Sequence, residues 1–421
     1  MQRSWGMIKD PIYGYVHVSE PEIDVIDTLP MQRLRRIKQL VFADYVYPGA
    51  NHSRFEHSIG VMHLAGLLGE SLPVEMPKED VQKVRLAGLF HDLGHGPFSH
   101  TFEQILMKKL NKTHEDLTPW IIMGTELKDI LAKHGFKADE VANLSVGRGN
   151  KEKAFMNQII TSSVDVDKMD FLVRDTHHTG AEYGKVDVYR LIYTMGVADD
   201  NLVVDSSALP TLEAFLIARV ESFRAIYYHK TARAAQILLV KAMEAADEEL
   251  DLCGFKSPEE YLEMDDYTVW SKLKTCKKSS KIMKDLERRR LLKCAYELEM
   301  QAEDKSISSL FGLEGIRSQV EDELAAKAGV PAGEVFIDTP SLPSIPYQHM
   351  MDFDPMEIPI IDVEGNSRKV LRATKLSRTI EVLRGFVNIV RVYTYEKNRE
   401  KVKSAAEKVL GNLPESGRVS Y

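Results

Sequence analysis

Where a helical pattern gives way to glycine, this chain sets an imidazole and a carboxylate side by side. The run is Phe90-His91-Asp92-Leu93-Gly94-His95-Gly96-Pro97-Phe98-Ser99-His100. Adjacent His and Asp at one point of the backbone offer a metal ion two different ligands. A single such pair arises by chance in many proteins. Here another histidine lies upstream in Arg54-Phe55-Glu56-His57-Ser58, and aspartates lie downstream in Asp165-Val166-Asp167-Lys168-Met169-Asp170. The residues leading to the pair are helical in pattern. Leu34, Ile37 and Val41, then Ile59, Met62, Leu64, Leu67 and Leu68, then Val81, Val84, Leu86, Leu89 and Phe90 recur at short helical steps. The His-Asp pair therefore sits at a helix end before a glycine break.

Lys9 to Val18 alternates around Gly14 and predicts a short β-hairpin. Further helices are expected over 101–110, 115–133, 156–178, 211–250 and 281–302. Near residue 330 the character changes. Val335-Phe336-Ile337 and Ile358-Pro359-Ile360-Ile361 are β-like, Val387 to Tyr393 reads as a strand, and Glu396 to Leu410 as a closing helix. The expected class is mainly α: a helical core over 1–245 with an N-terminal β-hairpin, a helical extension over 246–330, and a C-terminal α+β subdomain over 331–421.

At 421 residues the chain is too long for one compact core. Its 44% hydrophobic and 28% charged residues are ordinary for a soluble globular protein. No stretch approaches the roughly 18 apolar residues of a membrane span, and the opening MQRSWGMIKDPIYG has no apolar signal core. Cys253, Cys276 and Cys294 form no close metal-ligand pattern and cannot all pair, so they read as reduced thiols of a cytoplasmic protein. A formal charge of −8 argues against generic nucleic-acid binding. The best support for that rival is Lys272 to Lys293, where ten basic residues face only Asp285 and Glu287. The run lacks aromatic residues for base stacking, with Trp270 and Tyr296 only flanking it. Ser99 lies in no G-x-S-x-G elbow, and no P-loop motif is present.

The flanks of the His and Asp residues narrow the field. Gln32-Arg33-Leu34-Arg35, Ile37-Lys38-Gln39-Leu40, Tyr47-Pro48-Gly49-Ala50, Arg54 to Ser58, His91 to His100, Asp165 to Lys168, Arg174-Asp175 and His177-His178 follow in that order. In combination they closely resemble the HD-domain deoxynucleoside triphosphate triphosphohydrolases of the SAM-and-HD-domain branch. The strong similarity covers about residues 7–232, with Arg289-Arg290-Leu291-Leu292-Lys293 a fainter marker beyond it. No SAM domain precedes Met7, so a role tied to that module is not implied.

The resemblance implies that the 1–245 core is an HD phosphohydrolase domain holding one divalent ion (Fe, Mn, Zn, Ni or Mg) through His57, His91, Asp92 and Asp167, with Asp165 as the rival to Asp167. Additional Mg could accompany the nucleotide. It implies hydrolysis of a dNTP to deoxynucleoside and inorganic triphosphate. His100 matches the catalytic histidine, and Glu103 and His114 match the carboxylate and histidine that accompany it, although the family has Asp where this chain has Glu103. Arg54, His95, Lys168 and Arg219 fall on phosphate-contacting positions. Gln39 and Asp175 fall on positions that bond the sugar 3′-hydroxyl, and Leu40 and Tyr227 lie against the sugar. Phe171 stands where better-known members carry Tyr, which removes one phosphate hydrogen bond.

Asp27, Gln32, Arg35 and Phe55 match the family's guanine-nucleotide activator site at a subunit interface, which implies GTP or dGTP as activator and a homo-oligomer, dimer or tetramer. For a second activator pocket His229 and Lys230 agree, but Ala225 replaces an arginine. The rival enzymes are another HD phosphohydrolase, a nucleotidase or a phosphodiesterase, because a metal set recognises one phosphate whatever is attached to it.

Overall fold

The computed structural model describes residues 6–302, 313–340, 358–364, 367–383 and 386–411. Parts of the expected 331–421 subdomain, 341–357 and 412–421 among them, lie outside the described residues. The chain opens on the expected hairpin, β1 (Gly6–Asp10) and β2 (Gly14–Val18), with Gly14 turning at φ 75°. Two short helices follow, α1 (Glu20–Ile26) and α2 (Leu29–Arg33). Ser19 and Glu22 form a capping box that starts α1.

The body is built on α3 (Arg54–Ser71) and α4 (Lys78–Phe90). α3 is buried on nearly every side, and its small residues let neighbours come close: a Cβ at Gly60 would lie 1.9 Å from Asp170 Oδ1. Around this pair lie α5 (His100–Leu110), α6 (His114–Gly124), α7 (Leu127–Lys133), α8 (Ala138–Ser145), α9 (Ala154–Ile160), α10 (Val166–Thr179) and α11 (Val188–Thr194). The expected helix over 115–133 breaks at Thr125, which is extended, and that over 156–178 breaks before Asp165, which caps α10 by accepting from Lys168 N–H at 2.8 Å. β3 (Met195–Ala198) and β4 (Asn201–Asp205) form a second hairpin. The expected helix over 211–250 is two helices, α12 (Leu209–Ser222) and α13 (Lys230–Leu250), joined by a π-turn over Phe223–Tyr227.

The next stretch holds α14 (Pro258–Leu262), α15 (Asp266–Thr275) and α16 (Ser280–Glu287), packed with α5, α6 and α13 around Phe102, Leu239, Tyr261 and Leu286. The expectation of one helix over 281–302 is corrected. α16 stops at Glu287, Arg289 takes φ 54°, and β5 (Lys293–Ala302) follows as a strand. Leu, Lys, Ala, Glu and Met favour a helix there, but antiparallel pairing with the strand Phe386–Thr394 overrides that weak local preference.

The remaining elements are α17 (Glu314–Ala328), β6 (Val335–Asp338), β7 (Pro359–Glu364), β8 (Ser367–Arg372), α18 (Ala373–Leu376), α19 (Arg378–Val382), β9 (Phe386–Thr394) and α20 (Arg399–Leu410). One sheet has the order β5-β9-β6, all antiparallel, and α17 and α20 cover it through Leu324, Val402 and Ala406. The other has the order β3-β4-β7-β8, so the late hairpin β7–β8 adds in parallel to β4 of the body. A mainly helical body with an N-terminal hairpin and C-terminal α+β elements is the expected class. No helix among the described residues is long and apolar enough to cross a membrane.

Candidate metal centre and active site

α3, the end of α4 and the start of α10 bring their polar residues to one point. His57 Nε2 lies 3.2 Å from His91 Nε2, 3.0 Å from Asp167 Oδ1 and 3.8 Å from Asp92 Oδ2. The donor atoms of His57, His91 and Asp92 all fall within 4.8 Å of one another. Each ring is held from behind: His57 Nδ1 donates to Asp170 Oδ2 at 2.7 Å and His91 Nδ1 to the Gly88 carbonyl at 2.7 Å. Burial opposes charge on His57, yet hydrogen bonds to Asp167 and Asp170 and the fields of Asp170 and Asp92 outweigh it and push the ring up to about 10. Two imidazoles in so negative a setting fit a divalent metal, whose identity the donor set leaves open. Asp165 lines the same cavity as Asp167, but its oxygens are engaged by its own segment. Its oxygens accept from Ser162 N–H, Lys168 N–H and the Lys168 amine at 2.6 to 2.8 Å.

A second cluster adjoins the first. Glu103 accepts from His100 Nδ1 at 2.9 Å and from His114 Nδ1 at 3.1 Å. Burial opposes its charge, but His114 and His100 hold the carboxyl well below its usual range. His114 is shifted the other way: Glu103 overcomes burial and raises it. His95 joins the clusters, with Nε2 3.3 Å from Asp92 Oδ1 and its ring stacked 3.8 Å from that of His114. Burial, Arg54 and His114 together push His95 well below the usual histidine value, so it enters the site as a neutral ring rather than a cation.

His91, Asp92 and Asp167 of the first cluster and His95, His100 and His114 of the second line one cavity of about 320 Å³. Arg54 reaches it between Asp92 (NH1 to Oδ2, 2.5 Å) and Ser99 Oγ (2.7 Å), and Lys168 and Arg219 line it too. Leu40, Phe171 and Tyr227 supply apolar wall, with Phe171 edge-on to Tyr227 at 6.1 Å. Gln39 also lines the cavity, and its buried Oε1 has no partner among the described residues. Asp175 does not line it. That carboxylate is fully buried, its oxygens taken by His52 Nε2 at 2.9 Å and the Tyr227 hydroxyl at 2.5 Å.

An HD domain profile matches residues 54–174 and an HD-associated region profile matches residues 186–420. The chain belongs to the HD-domain phosphohydrolase family. Relatives of this HD protein include the uncharacterized protein YwfO of Bacillus subtilis, 37% identical over 57% of this chain and 55% of that one. Another is the deoxynucleoside triphosphate triphosphohydrolase SAMHD1 homolog of Dictyostelium discoideum, 34% identical over 70% of this chain and 61% of that one. The chain thus spans between about half and three fifths of the curated relatives it matches. A solved structure of a hypothetical protein from Aquifex aeolicus is similar throughout, with TM-score 0.78, 32% identity, and 95% of this chain and 99% of that one covered.

In this HD protein the residues expected at a nucleotide activator site are partly assembled. Gln32 Oε1 accepts from Arg35 Nε at 2.9 Å, and the Arg35 guanidinium lies 3.6 Å over the Phe55 ring. Asp27 ends α1, exposed, with no side-chain hydrogen bond or ion pair to the other three among the described residues. His229 caps α13, its Nδ1 accepting from Thr231 N–H at 3.2 Å. The basic run after Lys272 is partly neutralised, with Lys274 2.6 Å from Glu287 and Lys293 3.4 Å from Glu396, and Trp270 is turned against Phe42 and Phe98. Sequence reasoning missed Asp170, His52, Ser99 and Asp266 as supports of the site. Only Asp170 carried a signal, standing one helical turn after Asp167.

Proposed function

We propose that the chain hydrolyses deoxynucleoside triphosphates to deoxynucleoside and inorganic triphosphate. One observation carries the reading: a metal-fitting set and an imidazole–carboxylate–imidazole cluster meet through His95 in a single cavity that also receives Arg54, Lys168 and Arg219. A divalent ion held by His57, His91, Asp92 and Asp167 would offset phosphate charge and lower the pKa of bound water. Water adds to the α-phosphorus, the bond to the 5′ oxygen breaks, and that oxygen must gain a proton to leave. His100 is placed to give it, because it lines the cavity and Glu103, by accepting from its Nδ1–H, holds the ring there. Arg54, Lys168 and Arg219 hold the phosphate chain. Gln39 Oε1 can accept from a sugar hydroxyl, and Leu40 and Tyr227 form the wall that excludes a 2′-hydroxyl. Asp175 reaches the sugar only if the Tyr227 hydroxyl releases it.

We further propose that GTP or dGTP stimulates a homo-oligomer through Asp27, Gln32, Arg35 and Phe55, with Arg35 leaving the Phe55 face to a purine. Incubation with the four dNTPs and four NTPs plus manganese, with products identified by mass, tests the first reading, and one pyrimidine dNTP with and without GTP tests the second. Orthophosphate or pyrophosphate in place of triphosphate overturns the substrate assignment. His91→Ala and Asp92→Ala are expected to lose metal and turnover together. His100→Ala is expected to keep metal and lose about 10²- to 10⁴-fold in rate.

A further inference from the structure

Behind the metal-facing residues lies a buried line of charge that ends on the N-terminal hairpin. α10 carries Asp167, Asp170 and Arg174 on one face. Asp170 accepts from His57 Nδ1 at 2.7 Å through Oδ2, and Arg174 donates to both its oxygens, Nε at 2.8 Å and NH2 at 2.9 Å. Arg174 NH1 then comes within 3.0 Å of Asp10 Oδ2, an ion pair not aligned as a hydrogen bond. Asp10 turns its other oxygen to its own turn, accepting from Ile12 N–H at 2.8 Å and Tyr13 N–H at 2.9 Å. His57, Asp170, Arg174 and Asp10 are at most 4% exposed. Gly60 makes room for the pair, since a Cβ there would meet Arg174 NH2 at 2.4 Å.

We infer that Asp170, Arg174 and Asp10 are positioning residues that fix the tautomer and aim of His57, so that the N-terminal hairpin, outside the 54–174 HD match, is part of the metal centre. The inference rests on the metal reading above. Its physical basis is proton placement. A carboxylate only accepts, so Asp170 keeps a proton on His57 Nδ1 and leaves the Nε2 lone pair for a metal. Arg174 alone would neutralise Asp170. Shared with Asp10, it leaves one net negative charge in the line, and that charge makes the imidazole a stronger donor.

In Asp170→Asn the amide has one acceptor, and the buried Arg174 guanidinium claims it. The amide NH2 then faces His57 Nδ1, which must accept, and the proton moves to Nε2. Asp10→Asn keeps an oxygen for the turn but removes the charge.

The test uses the full chain. Manganese affinity is measured by chelator competition, the visible bands of the cobalt-loaded protein report the ligand field, and circular dichroism checks folding. The expected result is one ion per chain for the wild type, an affinity loss of about 10- to 100-fold with altered cobalt bands in Asp170→Asn, and a smaller loss of the same sign in Asp10→Asn. Folded variants with wild-type affinity and wild-type bands overturn the inference while leaving the metal reading intact. If Asp170→Asn does not fold, Asp10→Asn decides in the same way. A wild type that binds neither metal overturns the metal reading itself.

Discussion

Asp266, at the start of α15, holds the loop between His95 and His100 from the far side. Its Oδ1 accepts from Phe98 N–H at 2.6 Å and its Oδ2 from Lys38 N–H at 3.0 Å. Phe98 and Ser99 both sit at positive φ, 60° and 52°, a conformation that costs non-glycine residues and needs such anchors. Ser99 Oγ donates to the Lys38 carbonyl at 2.8 Å, so the same two segments are tied twice. Burial pushes the Asp266 carboxyl up to about 6, against the pull of the two N–H groups. The folded pKa therefore lies above the ordinary value of 3.8, and between those values the folded state holds a proton that the unfolded state has lost. Stability from this group is full at low pH and falls as pH rises through that window, by about 3 kcal/mol in all. Asp266→Asn gives up one hydrogen bond at every pH but has no such slope. Urea unfolding of both proteins at several pH values should show the wild type losing about 2 kcal/mol relative to the variant between pH 4 and 7. A constant difference would rule out the buried titration.

At the scale of elements, the site depends on how closely α6 docks on the loop after α4. Gly94 makes that approach possible: a Cβ there would lie 1.9 Å from the His114 carbonyl oxygen and 2.7 Å from Thr118 N, backbone atoms that cannot swing aside. Gly94 N–H also donates to Thr118 Oγ1 at 2.9 Å, and its carbonyl accepts from the Tyr261 hydroxyl at 2.8 Å. Gly94→Ala is expected to cost about 1–3 kcal/mol or more by overpacking. Because α6 starts at His114, it should also separate that ring from Glu103 and lower turnover. Calorimetry with rate measurements checks both, and a stable variant with wild-type turnover would show that the docking is looser than its contacts suggest.

How far such elements could be read in the sequence depended on where their partners lie. α3, α4 and α5 follow from apolar spacing and the glycine break, and the β9 strand from its β-branched run. β5 was hidden because its helix-favouring residues take their conformation from a strand about a hundred residues away. The order of His57, His91, Asp92 and Asp167 pointed to a metal set, and the fold brings the donor atoms of the first three within 4.8 Å of one another. Asp170, Asp10, His52 and Asp266 are ordinary acids and imidazoles until the fold shows what they touch.

On the scale of the whole molecule, the C-terminal sheet bears on a wall it does not line. The cavity lining among the described residues runs no further than Gln236, but the π-turn over Phe223–Tyr227 and its flanks are gripped from beyond. Arg224 NH2 meets Glu299 Oε1 of β5 at 2.6 Å, and Arg391 of β9 donates to the Tyr228 carbonyl. Arg233, itself in the cavity wall, makes a two-point pair with Asp338 of β6, Nε to Oδ2 at 3.0 Å with NH2 on Oδ1. A π-turn is a less stable winding than the helices on either side and needs outside contacts to hold it. Asp338→Ala leaves Arg233 without its carboxylate in a largely buried place. The loss should be about 3 kcal/mol, at the low end for a broken buried pair because the Arg233 side chain is 21% exposed. If the sheet sets the wall, KM for the proposed dNTP substrate rises along with that loss, since Tyr227 and Tyr228 are freed to shift. Denaturant unfolding beside steady-state kinetics separates the two effects. Lost stability with an unmoved KM would make the C-terminal sheet a prop for α13 and nothing more.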